Sequence, residues 1–219
     1  MTLEEYKARY GGQNHVAPGW DAIDASLRAL YGDQKPQHCG TIIKHFLGGR
    51  DPIDGISTYQ SDAGGAAHLH FCTYGFSALY YDEEAVGQDF SRFGFELTFR
   101  LKPSQEDHEP PIWVCNLIQN IARYVFESGK WFEEGHWIPA NGPIRADAQT
   151  DIVGLMFVHD PQLPAMETPH GRVEFLQMVG LTSSEVADLM AKRRTTTEIA
   201  ATLSKADPYL VTDLARSGA

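Results

Sequence analysis

His68, His70 and Cys72 occupy alternate positions of one short stretch, His-Leu-His-Phe-Cys. In an extended strand, residues i, i+2 and i+4 point to the same side of the sheet. Two imidazoles and a thiolate on one face form a donor set suited to zinc. A structural zinc site needs a fourth ligand, and the neighbouring sequence supplies no obvious one. The plainer reading is three medium-sized side chains packed on a sheet face, with the imidazoles hydrogen-bonded to neighbours. Cys115 heads a helical stretch, where the helix dipole would lower a thiol pKa. The same position equally suits a small buried thiol. A Cys–His dyad drawn from Cys72 or Cys115 is a further arrangement, although spacing alone does not bring its members together. The chain has no Gly-x-Ser-x-Gly elbow, no His-Glu-x-x-His helix and no Gly-x-x-x-x-Gly-Lys phosphate loop. The glycine pairs Gly48-Gly49 and Gly64-Gly65 lack the flanks of a dinucleotide loop. The motif evidence therefore points away from an enzyme and implies no cofactor. A metal- or thiol-dependent enzyme built on His68, His70 and Cys72 is the alternative.

The element that must position such groups is Phe93 to Lys102, Phe-Gly-Phe-Glu-Leu-Thr-Phe-Arg-Leu-Lys. Apolar and polar residues alternate without a break, which predicts a strand. Phe93, Phe95, Leu97, Phe99 and Leu101 share one face; Glu96, Thr98, Arg100 and Lys102 share the other. A one-residue slip would put three phenylalanines into water, so the register is strongly fixed and the aromatic face must be covered. Trp20, Ile23, Leu27, Leu30 and Tyr31 fall at helical spacing after Pro18. Leu117 to Phe126 carries a wide apolar stripe, with Gly129 just beyond it. Strands are expected at Thr41–Leu47, Ile56–Gln60, His68–Tyr74, Ile152–Val158, Val173–Val179 and near Tyr209–Val211. Tyr81 to Asp89 reads as an acidic loop. Lys102 to Pro111, with Glu106, Asp107 and Glu109, reads as a break, and Trp131 to Pro143 as irregular or edge-like. Thr182-Ser183-Ser184-Glu185 fits a capping box, and a short helix follows the basic bend at Lys192-Arg193-Arg194. There are no repeats. The expected fold is α/β (α+β), a mixed sheet flanked by helices, with a polar segment over 1–17, ragged from Met1 to Val16, and a single domain over 18–219.

The 219 residues carry a formal net charge of −11, with 42% hydrophobic and 11% aromatic content. That content fills a substantial core. The acidic balance disfavours nucleic acid and favours a basic protein partner, besides keeping the chain soluble. No run is apolar enough to span a bilayer. The N-terminus does not read as a secretory signal, and three widely spaced cysteines suit reduced thiols, so a cytoplasmic location is expected. Trp113, Trp131, Phe132 and Trp137 are core fillers of which one could serve a partner surface.

Several motifs, in order, resemble the Suppressor of fused family. They are His68-x-His70 with Tyr74-Gly75-Phe76-Ser77-x-Leu79-Tyr80, the strand at 93–102, and Pro110-Pro111 with Leu117 to Phe126. They continue with Asp160-Pro161-Gln162, Thr168-Pro169-x-Gly171-x-Val173, Phe175 to Gly180, and Leu210 to Leu214. The resemblance runs from about Trp20 onward. It implies an N-terminal-domain-like α/β fold and a non-catalytic role in binding another protein. In the animal protein an extended peptide of Gli-type transcription factors lies between two halves, added as a strand. Here the second half is missing from the match, and the Tyr80–Phe93 segment is shorter. Tyr80 alone matches there; Asp82, Glu83, Glu84 and Asp89 occupy the same region. These five residues are the expected partner-binding set. Single-domain members resemble bacterial proteins proposed as immunity factors against polymorphic toxins, which implies a basic toxin domain as one class of partner.

Overall fold

In a computed structural model, residues 1–104 and 111–218 are described. The expected break over Lys102 to Pro111 lies largely outside them, as do Glu106, Asp107 and Glu109. Among the described residues, eight strands form one mixed sheet: β1 (Gln37–Gly40), β2 (Gly55–Ser61), β3 (His68–Tyr74), β4 (Phe90–Leu101), β5 (Trp137–Pro139), β6 (Ile152–His159), β7 (Met166–Thr168) and β8 (Gly171–Thr182). The order across the sheet is β1-β2-β3-β4-β8-β6-β5, with β7 pairing β8 off that path. The β4–β8 pair is parallel and the other pairs are antiparallel. Five α-helices surround it: α1 (Leu3–Tyr10), α2 (Pro18–Tyr31), α3 (Ile112–Ser128), α4 (Ser183–Met190) and α5 (Thr196–Leu203). The expected mixed sheet with flanking helices is the observed architecture.

The alternation in β4 works as the pattern requires. Phe95, Leu97, Phe99 and Leu101 are buried against Val114, Ile118, Ile121 and Val125 of α3. Gly129 ends α3 in a left-handed conformation. The opposite face is covered too. There α2 packs Ile23 and Leu27 with Tyr59, Tyr74 and Phe175, while α4 and α5 pack Val186, Leu189 and Ile199 with Met156, Val179 and Leu181. Glu96, Thr98 and Arg100 are consequently fully buried.

Three expectations need correction. Met1 to Val16 is not ragged throughout: Leu3–Tyr10 form α1, where Thr2 and Glu5 close a capping box, and Tyr6 is fully buried. Thr41–Leu47 is not a strand. The strand lies earlier, at β1, because the partner register on β2 ends where Gly40 meets Gly55. Beyond it Ile42 is wholly exposed, and a short turn over His45–Leu47 closes on Gly48 at φ 89°. Near Tyr209–Val211 a single bridge, Leu101 to Thr212, replaces the expected strand. The Asp207 carboxylate accepts from the Tyr209 and Val211 N–H groups and holds this segment as a turn.

Candidate protein-binding site

The polar face of β4 ends in two buried carboxylate hubs. Asp160, just past β6, accepts bidentate bonds from Arg100 Nη1 (2.6 Å) and Nη2 (3.1 Å). It also accepts from Thr98 Oγ1 (2.7 Å) and from the Gln162 and Leu163 N–H groups. Gln177 accepts from Arg100 and donates to the Tyr209 and Leu210 carbonyls, tying β8 to the C-terminal turn. Burial pushes the Asp160 carboxyl up, but His70 and Arg100 outweigh it and hold it well below the ordinary range. Glu96 is the second hub. It accepts from Thr73 Oγ1 (2.6 Å), Ser77 Oγ (2.6 Å) and the Gly75, Phe76 and Ser77 N–H groups. These bonds fix the connection leading out of β3, although burial still leaves the carboxyl above its ordinary value.

His68, His70 and Cys72 share the face toward α2, as their spacing implies, but they do not form a metal site. His70 Nε2 lies 3.1 Å from Asp160 and Nδ1 lies 2.6 Å from the Tyr31 hydroxyl. With Asp160 ionised, Nε2–H donates to it and Nδ1 accepts from Tyr31, so neither nitrogen has a free lone pair. Burial pushes the imidazole down to about 4, so it is neutral at pH 7. His68 Nδ1 is bonded to the Ala66 carbonyl, and burial drives the Cys72 thiol well above its usual value. Among the described residues, no group of three or more His, Cys, Asp and Glu side chains is placed to hold a metal ion. The expectation of a lowered Cys115 pKa is also corrected. Burial, with the neighbouring Cys39 thiol, pushes it up to about 12, overriding the helix dipole.

The five expected partner-binding residues lie on one exposed loop between β3 and β4. Its tip is held from below. Tyr6 of α1 donates from its hydroxyl to His170 Nε2 (2.7 Å) and accepts from the Asp82 N–H (3.0 Å). His170 Nδ1 donates to the Ala78 carbonyl (3.0 Å), which sets the tautomer. The Tyr6 ring stacks on Tyr81 at 5.0 Å. The loop is stitched to the β7–β8 turn by Gly87 N–H to the Pro169 carbonyl and Arg172 N–H to the Asp89 carbonyl. Gly171, at φ 111°, permits this approach; a Cβ there would stand 2.6 Å from the Gln88 carbonyl oxygen.

On that base, Tyr80 is 40% exposed and donates to Asp54 Oδ2 (2.6 Å), while Lys44 Nζ donates to the Tyr80 oxygen (3.0 Å) and pairs with Asp54 (3.3 Å). Glu83 is not free: it pairs with Lys7 at 2.7 Å and accepts from Tyr81. Asp82 caps the Glu84 N–H at 2.9 Å. Asp82, Glu83, Glu84 and Asp89 are all exposed. Tyr80, Asp82, Glu84, Gln88, Phe90 and Arg92 are among the residues lining a cleft of about 620 Å³, and Glu83 and Asp89 stand outside it. Sequence reasoning missed Tyr6, Lys44, Asp54 and His170. The Thr2-x-x-Glu5 cap signalled the helix that carries Tyr6, whereas the other three are joined only by tertiary folding.

This fold has known counterparts. The family model for Suppressor of fused protein (SUFU) matches residues 49–217. The chain belongs to the Suppressor of fused family. It is 37% identical over 209 residues to the Suppressor of fused homologs of Homo sapiens and Mus musculus. The match covers 90% of this chain and 43% of each relative, so the chain spans less than half their length. A chain of the Sufu-Fu complex crystal structure superposes with a TM-score of 0.84 at 32% identity, covering 92% of each chain. Drosophila Suppressor of Fused superposes with a TM-score of 0.83 at 31% identity, covering 93% of this chain and 51% of that one. A putative SUFU homolog from Neisseria gonorrhoeae, at 12% identity and a TM-score of 0.61, covers 91% of this chain and 96% of that one and shares the fold. No helix among the described residues is long and apolar enough to cross a membrane.

Proposed function

We propose that this chain is a non-catalytic protein-binding domain of the Suppressor of fused type, acting in the cytoplasm, with residues 18–219 as one domain on which α1 docks. It captures a basic, extended segment of a partner at the Tyr80–Asp89 loop. The observation that carries this reading is a rigid base under an exposed, acidic tip. Backbone and side-chain bonds hold the loop below, while Tyr80, Asp82, Glu84 and Asp89 present an aromatic and carboxylates outward. A solved relative crystallised as a Sufu-Fu complex supports protein binding as the mode. The acidic balance supports a basic partner, and neutralisation of a toxin domain encoded nearby is the biological form we favour. The His68, His70 and Cys72 enzyme has no observation in its favour, since protein groups already occupy both nitrogens of His70.

The test is capture of a partner from native lysate by the wild type and by Tyr80→Ala, at low and high salt. Binding that weakens with salt and is lost in the variant supports the reading. A complex indifferent to both rejects this surface. Co-expression with an adjacent toxin gene should rescue growth, and failure to rescue removes the immunity role.

A further inference from the structure

Among the described residues, four aromatic side chains stand out in solvent: Tyr80, Phe90, Tyr124 and Trp131, at 40%, 55%, 44% and 56% exposure. They are far apart in sequence, yet they line one continuous run of clefts. The cleft beside Tyr80, about 620 Å³, shares Phe90 and Arg92 with a second of about 600 Å³. The second shares Trp131, Phe132 and Glu133 with a third of about 700 Å³, which ends at Tyr124. Exposed aromatics at intervals along a groove are what anchoring points for a bound chain look like.

The floor midway is a strained bulge. Pairing with β8 jumps from Phe90 to Phe95 on β4 but only from Arg172 to Glu174 on β8, and Arg92 adopts φ 55°. Its guanidinium lies 4.5 Å over the Phe126 ring and donates to the Gly75 carbonyl, so this cation is already committed. Where the second and third clefts meet, Trp131 follows α3 with its indole N–H donating to Glu133 (2.8 Å), which pins the ring and leaves a face in solvent. Glu134 lies 3.5 Å from His159, and Glu174, paired with Arg172 at 3.2 Å, closes the same wall.

We infer that these clefts form one groove for an extended, basic segment of a partner protein, with Trp131, Glu133 and Glu134 as a second anchor beyond the Tyr80–Asp89 loop. The inference rests on the reading of that loop as a partner site. Charge complementarity selects the occupant: Asp82 and Glu84 stand near Tyr80, and Glu133, Glu134 and Glu174 near Trp131, against Arg92, which Phe126 and the Gly75 carbonyl already engage, and Lys130 in the third cleft. A lysine or arginine of the segment stacks on the Trp131 face, while its apolar residues rest on Phe90.

The test uses a fluorescent peptide alternating lysine and valine, followed by anisotropy, with an alternating glutamate and valine peptide as counterpart. Wild type binds the basic peptide, more weakly as salt rises, and not the acidic one. Trp131→Ala and the double variant Glu133→Gln, Glu134→Gln each weaken binding about tenfold. Met190→Ala, an exposed apolar residue outside the groove, leaves it unchanged. If Tyr80→Ala weakens binding and the Trp131 and Glu133/Glu134 variants do not, the second anchor is refuted and the loop reading stands. If only the latter weaken it, the anchor stands and the loop reading falls. Preference for the acidic peptide, or no binding to wild type, overturns the basic occupant.

Discussion

Mild acid should destabilise this protein through one imidazole. His70 is fully buried between Tyr31 and Asp160, and burial lowers its pKa from 6.5 to about 4. In the unfolded chain the same group takes up a proton once the pH falls below 6.5. The folded chain refuses it until about pH 4, so unfolding binds protons across that window. The stability that the neutral imidazole contributes is complete above the unfolded value and is lost as pH falls toward the folded one. The gap corresponds to about 3 kcal/mol in all, of which about 2 kcal/mol falls between pH 7 and pH 5. Asp160, held well below its ordinary value, stays ionised throughout and does not blur the window. The measurement is urea unfolding at pH 7 and pH 5 for wild type and His70→Gln, whose amide can still donate to Asp160 but does not titrate. Other histidines contribute equally to both proteins and cancel. Wild type should lose about 2 kcal/mol more than the variant. Equal losses would show that His70 titrates as freely folded as unfolded, and the argument for a sealed, neutral imidazole would fail. The proton resonances of the His70 ring supply a second check, since they should not titrate between pH 7 and pH 5.

Other consequences follow from the same contacts. Tyr6→Phe removes a hydroxyl that serves both His170 and Asp82, so stability should fall by about 1–3 kcal/mol and amide exchange should quicken at residues 80–84. Arg100→Met strands the Asp160 carboxylate and should cost about 3–5 kcal/mol in chemical denaturation, with Asp160→Asn added to it restoring part of the loss. Gly171→Ala forces a Cβ onto the Gln88 carbonyl and strains a φ of 111°, so the variant should unfold at least about 1 kcal/mol more easily and shift backbone resonances at 88–91. Maleimide at pH 8, read by mass spectrometry of the native protein, should label half-buried Cys39 before Cys72 or Cys115, whose thiols burial keeps protonated.

How legible the fold was depended on whether its cause is local. The alternation of β4 and the apolar stripe of α3 are periodic signals, and each marks a face that packs where its period directs. Ile42-Ile43 misled because β-branched residues mark a strand only where a partner strand continues, and here pairing stops at Gly40. The Thr2-x-x-Glu5 capping box is a local signal of the same kind, and it marks the start of α1. The burial of Arg100 was illegible, since it depends on Asp160, sixty residues away along the chain. The alternating pattern distinguishes the two faces of β4 but carries no sign that both are covered.

That unreadable part also explains how a strand with a charged face can run through the middle of the sheet. Arg100 and Asp160 sit between two apolar clusters, one under α2 and one under α4 and α5. Replacing such a pair with apolar groups is often neutral for stability, so its presence calls for another consequence. The hubs join segments that no apolar contact would register: Asp160 fixes the turn after β6 through two N–H groups, and Glu96 fixes Gly75 to Ser77 through three. The second of these turns leads directly into the Tyr80 loop. A loop whose root is set by directional bonds keeps its carboxylates and aromatics in one place while they stay solvated. Less conformational entropy is then lost when a partner segment lies across them. Glu96→Gln should therefore weaken binding at the loop more than any change in the exposed carboxylates would suggest, with a rise in amide exchange over 75–80 as its signature. Weakened binding without that rise would separate the hub from the loop and remove the link between core and surface.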